Sequence, residues 1–247
     1  MAEWFETFFR GLYKEVLANQ FDEATSLRQA RLVKRLLEVR KGMRVLDIPC
    51  GMGRLTIPMA KMGLAVTGVD LTESFVRLAR REARRQGLNA RFICRDMRKI
   101  DYEAEFDAAF NWFASIGFFS DAEEVAFCAR VLRALKPGGR FLVETVNKSW
   151  ILAHFRPRFE NTVGGVCKAD ENTWDPETQR MEIKSTLSSS RTEEHHRASV
   201  RLYDGPGMRR LLRAAGFREI ELFGYPPLGS FTRHSRRLIA VARRPRD

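Results

Sequence analysis

The sequence of 247 residues predicts an α/β fold, with a doubly wound, seven-stranded, mostly parallel sheet and an antiparallel β insertion after strand five. Three observations support this prediction. Short apolar runs alternate with amphipathic helical segments, which is the pattern of repeated βαβ units. A glycine turn follows the first apolar run. The alternation stops between residues 147 and 203, where extended segments with alternating polarity replace the expected helix.

Helices and strands are predicted from apolar spacing and from start and stop signals. The helix over 22–41 has a capping-box spacing from Ser26 to Gln29, and Gly42 is its stop signal. The other helices are predicted at 3–20, 73–86, 121–135 and 206–215. The strands of the main sheet are predicted at 45–47, 64–69, 90–94, 106–111, 140–146, 219–223 and 238–243, with a turn at 136–139 and insertion strands at 181–187 and 197–202.

Length and composition limit the class of protein. A chain of this length suffices for one large α/β domain with an insertion, whereas two independent domains would be tight. The four cysteines form no C-x-x-C pair and no zinc-spaced cluster, which favours a reduced cytoplasmic protein without a metal site. The aromatic N-terminus contains acids and does not resemble a signal peptide. No apolar run approaches the ~18 residues of a membrane span.

The net charge of +12 and the excess of arginine indicate a strongly basic surface. Such a surface suits nucleic acid, an anionic membrane surface or an anionic substrate. A solvated helix face is the favoured interpretation of the densest cluster, and a polyanion site is the alternative. The cluster consists of Arg77, Arg80, Arg81, Arg84 and Arg85.

The strongest motif is a strand, a glycine turn and a helix start between residues 44 and 59. Asp47 ends the strand, and Gly51 and Gly53 form the turn. Glycine lets the backbone approach a ligand, and the free N–H groups of the helix start point at the same place. Thr56 stands where a nicotinamide-dinucleotide fingerprint has its third glycine, which counts against a dehydrogenase. The motif predicts a ligand cradle, and an ordinary turn between strand and helix is the alternative.

This stretch resembles motif I of the class I methyltransferases that use S-adenosylmethionine. The family pattern is an acid followed by three glycines at alternate positions, and residues 47–53 read D-I-P-C-G-M-G, with Pro49 in place of the first glycine. The resemblance covers about 30–240 and is closest to the small-molecule type. It implies S-adenosylmethionine as cofactor and S-adenosylhomocysteine as product. The implied cofactor contacts in this motif are Asp47, Cys50, Gly51 and Gly53.

Further cofactor contacts are predicted at the ends of the later strands. Asp70 follows Gly51 by 19 residues, close to the ~20 expected of the acid that holds the ribose in a doubly wound fold. A carboxylate there accepts hydrogen bonds from both ribose hydroxyls. By the resemblance, an acid and its neighbour after the third strand contact the adenine, and transfer occurs at the end of the fourth strand. The predicted contacts are Leu71, Asp96, Met97, Asn111 and Trp112.

Two segments outside the predicted sheet are expected to form the acceptor side. Residues 1–20 form an aromatic helical lid, and residues 147–203 form an insertion of three or four strands that acts as a lid, a dimer surface or both. The methyltransferase domain comprises 21–146 and 204–247. The acceptor pocket is predicted between the two segments, over the end of the fourth strand; simple packing or a homodimer interface is the alternative. The predicted pocket residues are Trp4, Phe8, Tyr13 and Trp150.

The predicted function is S-adenosylmethionine-dependent methyl transfer to a small molecule by in-line displacement. Such a reaction requires the protein mainly to align a nucleophile and to exclude water. His154, close after the fifth strand, is the predicted catalytic residue, and helix packing is its alternative role. The alternative functions are an RNA methyltransferase that uses its basic surface, which is not favoured, and a non-catalytic S-adenosylmethionine-binding factor.

Overall fold

The computed structural model describes residues 3–246 and contains two β-sheets. Residues 1, 2 and 247, at the ends of the predicted lid and domain, lie outside the described residues. The strands are β1 (Arg44–Asp47), β2 (Ala65–Asp70), β3 (Ala90–Cys94), β4 (Phe106–Asn111), β5 (Leu135–Val146), β6 (Arg158–Val163), β7 (Val166–Asp175), β8 (Arg180–Ser188), β9 (Glu193–Arg201), β10 (Arg218–Tyr225), β11 (Gly229–Ser230) and β12 (Arg237–Arg243). The α-helices are α1 (Trp4–Phe8), α2 (Gly11–Asn19), α3 (Glu23–Leu36), α4 (Thr56–Lys61), α5 (Glu73–Arg85), α6 (Asp121–Ala134), α7 (Lys148–Ala153) and α8 (Gly205–Ala214).

The main sheet has the strand order β11-β10-β12-β5-β4-β1-β2-β3. Strands β1 to β5 pair in parallel, and β12 runs antiparallel to β5. The predicted α/β fold with a mostly parallel sheet and a separate antiparallel sheet is confirmed. Among the described residues the main sheet has eight strands rather than seven, because the two-residue β11 pairs with β10. Strand β1 lies between β2 and β4, so the strand order reverses there, where ligands of such sheets bind.

Helices cover both faces of the main sheet because its strands are apolar on both sides. Phe141 and Leu142, consecutive in β5, point to opposite faces, as strand geometry requires. Phe141 packs in a cluster with residues of α6 and α8, such as Phe127. Leu142 belongs to the cluster that contains Val33 of α3 and residues of α4. Burying each such side chain contributes about 1.5–3 kcal/mol.

Strands β6 to β9 form an antiparallel sheet of their own, connected to the main sheet through α7 and α8. Leu187 of β8 and Val166 of β7 pack against Leu12 and Val16 of α2. The N-terminal helices are therefore attached to this second sheet as well as to the main one. Across residues 3–246, no helix combines the length and the apolar composition that a membrane crossing requires.

The predicted single helix over 3–20 is wrong, because the chain forms two helices there. Gly11 adopts a φ of +53°, a conformation that breaks a helix and favours glycine. Glu194 of β9 approaches Gly11 so closely that a Cβ there would collide with its carboxylate. The Glu194 carboxylate accepts a hydrogen bond from the backbone N–H of Leu12 at 3.0 Å, at the start of α2. A residue distant in the sequence therefore determines this break.

Two smaller predictions also need correction. Helix α3 begins under an Asp22 cap, whose carboxylate accepts from the N–H of Thr25 at 2.6 Å, and Ser26 lies inside the helix instead of capping it. The turn predicted at 136–139 lies within β5 as an irregularity, since the partners of Phe106 and Ala108 on β5 jump from Leu135 to Arg140.

The arginine-rich helix α5 has one apolar side and one charged side. Phe75, Val76, Ala79 and Ala83 are buried against the sheet, whereas the charged cluster is mostly exposed. Arg80 turns back and donates to the carbonyl of Phe92 at 2.9 and 3.0 Å. This amphipathic arrangement is that of a solvated helix face.

Candidate active site

A cavity of about 840 Å³ lies over the carboxyl ends of the parallel strands. Its size falls within the ~300–1,000 Å³ of typical small-molecule sites. The cavity extends from Asp96, after β3, past the ends of β2, β1 and β4 to Trp150 in α7. Helices α1 and α2 and one face of β8 and β9 border it on the sides. One continuous space thus connects the predicted cofactor site with the predicted acceptor pocket.

The strand order explains why three acids border one part of this cavity. Asp96, Asp70 and Asp47 follow or end β3, β2 and β1, which are neighbours in the sheet. All three side chains line the cavity, as does Trp112 after β4. The row of strand ends therefore presents three carboxylates, which are hydrogen-bond acceptors, and the aromatic ring of Trp112 beside them.

Asp70 organises the glycine turn. Its two carboxylate oxygens accept hydrogen bonds from the N–H of Gly51 and the N–H of Thr72, each at 2.8 Å. Burial raises the pKa of this carboxyl. Gly51 has a φ of +54° and open space where a Cβ would stand. Because each carboxylate oxygen has a second lone pair, Asp70 retains acceptors for a ligand's hydroxyl groups.

Asp47 is almost completely buried at the floor of the cavity. It accepts a hydrogen bond from the Thr56 hydroxyl, and burial raises its pKa to about 8. A buried carboxyl of this kind favours a positively charged partner, since such a partner stabilises the ionised form. Burial also raises the pKa of the Cys50 thiol, which makes this cysteine a wall residue and a poor nucleophile.

Asp47, Asp70 and Asp96 form a row along the strand ends, the acid row. Asp96 lies at the end of this row opposite Asp47, and Arg98 holds its carboxylate. The N–H and the guanidinium of Arg98 each donate to the Asp96 carboxylate at 2.8 Å. Burial would raise the pKa of Asp96, but these hydrogen bonds and the Arg98 charge outweigh it and lower the pKa. Arg98 also pairs at 2.9 Å with Glu3, next to the first turn of α1. Leu71 and Met97 line the cavity beside this acid.

Two of the predicted cofactor residues do not border the cavity. A Cβ at Gly53 would stand 3.1 Å from the Phe92 ring and 3.2 Å from Ala79, so this glycine permits close helix packing. Asn111 is fully buried, and its amide donates to the carbonyls of Ile48 and Ser115. Both residues shape the cradle from behind its surface.

The predicted acceptor end of the cavity has an aromatic wall. Trp4, Phe8 and Tyr13 line the cavity. The Trp4 ring contacts those of Phe118 and Phe8, and the Phe8 ring contacts that of Tyr13. The ring centroids lie 5.4 Å apart for Trp4 and Phe8, and 4.5 Å apart for Phe8 and Tyr13. Burial raises the pKa of Tyr13, so its hydroxyl stays protonated. The facing wall consists of apolar side chains from β8 and β9, namely Met181, Ile183, Ala198 and Val200.

Trp150 of α7 and His154, the residue directly after this helix, border the cavity. Their rings stack with centroids 4.3 Å apart. Nδ1 of His154 lies 2.9 Å from the carbonyl oxygen of Trp150, which places the proton of the neutral ring on Nδ1. Nε2 then carries the free lone pair. The ring is exposed at the edge of the cavity.

Arg54 lines the cavity between the acids and the aromatic wall, although no sequence pattern singles it out as a site residue. Its guanidinium donates to the Gln29 amide oxygen at 2.6 Å and lies 4.3 Å from the Phe21 ring centroid. Burial lowers the pKa of Arg54, although the charge of Asp47 opposes this effect. Its position directly after Gly53, the second glycine of the turn, is the feature of the sequence that could have indicated a place at the site.

The loop after β4 has a support that the sequence does not predict. Phe113 and Ala114 have φ values of +73° and +56°, which are unfavourable for residues with a Cβ. Glu144 is buried in β5; it accepts from the N–H of Phe113 at 2.8 Å and pairs with Arg237. This carboxylate holds the strained loop in place. Nothing in the local sequence pairs residues 113 and 144.

A sequence model of the methyltransferase domain family matches residues 45–139. Over these residues the chain is similar to the methyltransferase domain family. The predicted S-adenosylmethionine-dependent family is thereby confirmed, and with it the predicted cofactor. The match begins at the second residue of β1, just before Asp47, and ends in β5, so it covers the glycine turn and the acid row.

The methyltransferase domain also has curated relatives and structural neighbours. Ubiquinone biosynthesis O-methyltransferase from Coxiella burnetii is 32% identical over 111 residues, which are 44% of this chain and 46% of that protein. The chain thus spans about half the length of the curated relatives it matches. An S-adenosylmethionine-dependent methyltransferase from Clostridium acetobutylicum has a TM-score of 0.76 at 17% identity, covering 95% of this chain and 96% of its own. The amino pentose methyltransferase CalS10 from Micromonospora echinaspora, solved with S-adenosylmethionine bound, has a TM-score of 0.69 at 21% identity, covering 95% and 97%.

Proposed function

We propose that the protein transfers the methyl group of S-adenosylmethionine to a small-molecule acceptor at the lid end of the cavity. The observation that carries this proposal is one continuous cavity. The acids at the ends of β1, β2 and β3 border one part of it, and this part opens into an apolar chamber between the aromatic wall and the face of β8 and β9. The matched relatives and neighbours include O-methyltransferases and a sugar methyltransferase, which supports a small-molecule acceptor. They give no support to the RNA-modifying or non-catalytic alternatives.

The residues of the acid row fit the cofactor, which supplies an electrophilic methyl group on a sulfonium when bound. Asp70 would accept from the ribose hydroxyls, and Asp96 from the adenine amino group. Asp47, whose pKa burial raises to about 8, would stabilise the ammonium group and become ionised by it. Arg54 would pair with the carboxylate, since its half-buried guanidinium has only the Gln29 amide as a polar partner in the described chain.

The acceptor-side residues would align the nucleophile and exclude water. Trp112 borders the cavity at the end of β4, where the acid row meets the chamber. Trp4, Phe8 and Tyr13 cover one side and the apolar face of β8 and β9 covers the other. We keep His154 as the proposed base, because Nε2 carries a free lone pair in the tautomer that the Trp150 carbonyl selects. Acceptors that are nucleophilic without losing a proton would not require it.

We further propose the predicted division into lid, methyltransferase domain and β insertion, with the insertion on the acceptor side. Four cysteines without a disulfide among the described residues support a reducing compartment, which we propose to be the cytoplasm. The homodimer stays a prediction that sedimentation at several concentrations would check.

Transfer of a labelled methyl group tests the proposed function. A metabolite extract below about 1 kDa is incubated with the protein and methyl-labelled S-adenosylmethionine, and the products are analysed by mass spectrometry. We expect label in a small molecule only when the protein is present. Label found in RNA alone, in a parallel incubation, would support the RNA-modifying alternative and contradict the proposal.

A further inference from the structure

The charged residues of the cavity are separated by sign. The acids all belong to the ends of β1, β2 and β3, at the proposed cofactor end. Arg54 lies next to them in the glycine turn, and the other three cations lie beyond them, toward α7 and β12. The cavity-lining arginines are Arg54, Arg156, Arg236 and Arg237. The chamber therefore has a positive wall, although its other walls are apolar.

Two of these arginines have a partner that balances their charge. Arg237 pairs with the buried Glu144. Arg54 would pair with the carboxylate of the proposed cofactor. Arg156 and Arg236 form no ion pair with any residue from 3 to 246, so the positive charge of these two remains when the cofactor is bound.

The buried amide of Asn147 fixes the position of Arg236. Its side-chain N–H₂ donates to the carbonyl oxygens of Arg233 and Ser235, at 3.1 and 2.8 Å, and its own backbone N–H donates to the carbonyl of Arg236 at 3.3 Å. Its carbonyl oxygen accepts from the N–H of Ser149 and caps α7. One side chain thus holds both the loop before β12 and the helix that carries Trp150.

Trp150 then orients the guanidinium of Arg236. The guanidinium carbon lies 5.5 Å from the Trp150 ring centroid, within the range of a cation–π contact. The Arg236 guanidinium forms no hydrogen bond or ion pair with any residue from 3 to 246, so its N–H groups are free. These N–H groups form the fork that binds a carboxylate or phosphate through two hydrogen bonds.

We infer that the methyl acceptor carries an oxyanion group, a carboxylate or a phosphate, which Arg236 binds beside Trp150. The apolar body of the acceptor occupies the chamber between the aromatic wall and the face of β8 and β9, and Arg156 adds positive charge at the rim. This inference rests on the proposed function, because it identifies the class of molecule that enters the same cavity.

The test compares small aromatic probes that differ in charge and are similar in shape. The probes are 4-hydroxybenzoate, 4-hydroxybenzamide and phenyl phosphate, with the protein saturated with S-adenosylhomocysteine so that the cofactor carboxylate already occupies its own site. Dissociation constants are measured by NMR titration for the wild type, for Arg236→Gln and for Arg233→Gln. Arg233 is an exposed residue of the same loop that does not line the cavity, so its variant controls for the loss of one positive charge.

We expect the wild type to bind 4-hydroxybenzoate about tenfold more tightly than 4-hydroxybenzamide, since a hydrogen-bonded charge pair contributes this much at a partly exposed site. Arg236→Gln should abolish the preference, and Arg233→Gln should retain it. Tighter binding of phenyl phosphate than of the benzoate identifies phosphate as the preferred oxyanion, and the reverse identifies a carboxylate.

Equal affinity for the benzoate and the benzamide, or a preference that survives Arg236→Gln, overturns the inference. So does the absence of binding by either anion at millimolar concentration. Binding of S-adenosylhomocysteine is measured by titration before the probes are added. This measurement separates these results from a failure of the proposed function. A protein that binds the cofactor product but not the anions contradicts this inference alone.

Discussion

The two ends of the cavity are built in different ways. The cofactor end consists of strand ends and the backbone of one glycine turn, where neighbouring parallel strands bring Asp47, Asp70 and Asp96 into a row. The acceptor end is assembled from α1, α2, α7, β8 and β9, elements that lie outside the parallel sheet. Sheet topology therefore positions the proposed cofactor site, whereas packing between distant segments shapes the proposed acceptor chamber. Substitutions at one end should leave binding at the other largely intact.

The largest expected effect is that of Gly51→Val at the cofactor end. Gly51 has a left-handed backbone and open cavity space at its Cβ position, so a valine there is both strained and in the way of the ligand. We expect affinity for S-adenosylhomocysteine to fall by about 100-fold or more, measured by calorimetry, because strain and blocked access act together.

Gly87→Val is a matched control for this change. Gly87 has a φ of +60° and equally open surroundings, but it follows α5 and does not line the cavity. Its variant carries the same backbone strain and should keep full affinity. Similar losses of affinity in both variants would indicate a general effect on folding and would contradict the proposed role of Gly51 in cofactor binding.

Asp70→Ala should have the next largest effect. The substitution removes a carboxylate proposed to accept from both ribose hydroxyls, and it also frees the N–H of Gly51. We expect cofactor binding to weaken by ~1.5–3 kcal/mol, the range for hydrogen bonds that involve a charge. The 2′-deoxy analogue isolates the ribose contribution: wild type should bind it more weakly than the natural cofactor, and the variant should not. An equal penalty in both proteins would show that Asp70 does not hold the ribose.

Cofactor affinity should also depend on pH through Asp47. Burial raises the pKa of this carboxyl to about 8, so it is mostly protonated below that pH in the free protein. A cationic group beside it favours the ionised form, and binding must then release a proton. Affinity for S-adenosylhomocysteine should therefore rise as the pH increases toward about 8, by at most about tenfold per pH unit. Asp47→Asn should flatten the profile between about pH 6.5 and 8.5, and a slope that persists in this variant would assign it to another group.

Much of the cofactor end could be predicted from the sequence, and little of the acceptor end. Parallel strands place their last residues at one edge, so Asp47, Asp70 and Asp96 are brought together by topology alone. The break at Gly11 depends on Glu194, and the loop at Phe113 depends on Glu144. Such contacts join segments far apart in the chain, and no local pattern indicates them.

The smallest expected effect lies at the acceptor end, in Glu194→Ala. Deleting residues 1–14 is a poor test of the lid, because Phe5 and Phe8 are buried and their loss would expose the core. Removing only the Glu194 carboxylate loosens the start of α2 and leaves these side chains in place. We expect about a threefold rise in the KM for the acceptor, consistent with the loss of one partly exposed hydrogen bond, and no change in affinity for S-adenosylhomocysteine. Glu193→Ala, whose side chain is exposed beside His195, is the control and should change neither value.

A crystal structure with S-adenosylhomocysteine bound tests the division of the cavity most directly. We expect ribose hydroxyls within hydrogen-bond distance of Asp70, adenine beside Asp96 and Met97, and the sulfur atom facing the end of β4 near Trp112. The chamber between the aromatic wall and β8 and β9 should then remain open, with Arg236 at its border. A cofactor that fills this chamber, or whose ribose lies away from Asp70, would contradict the proposed division of the cavity into a cofactor end and an acceptor end.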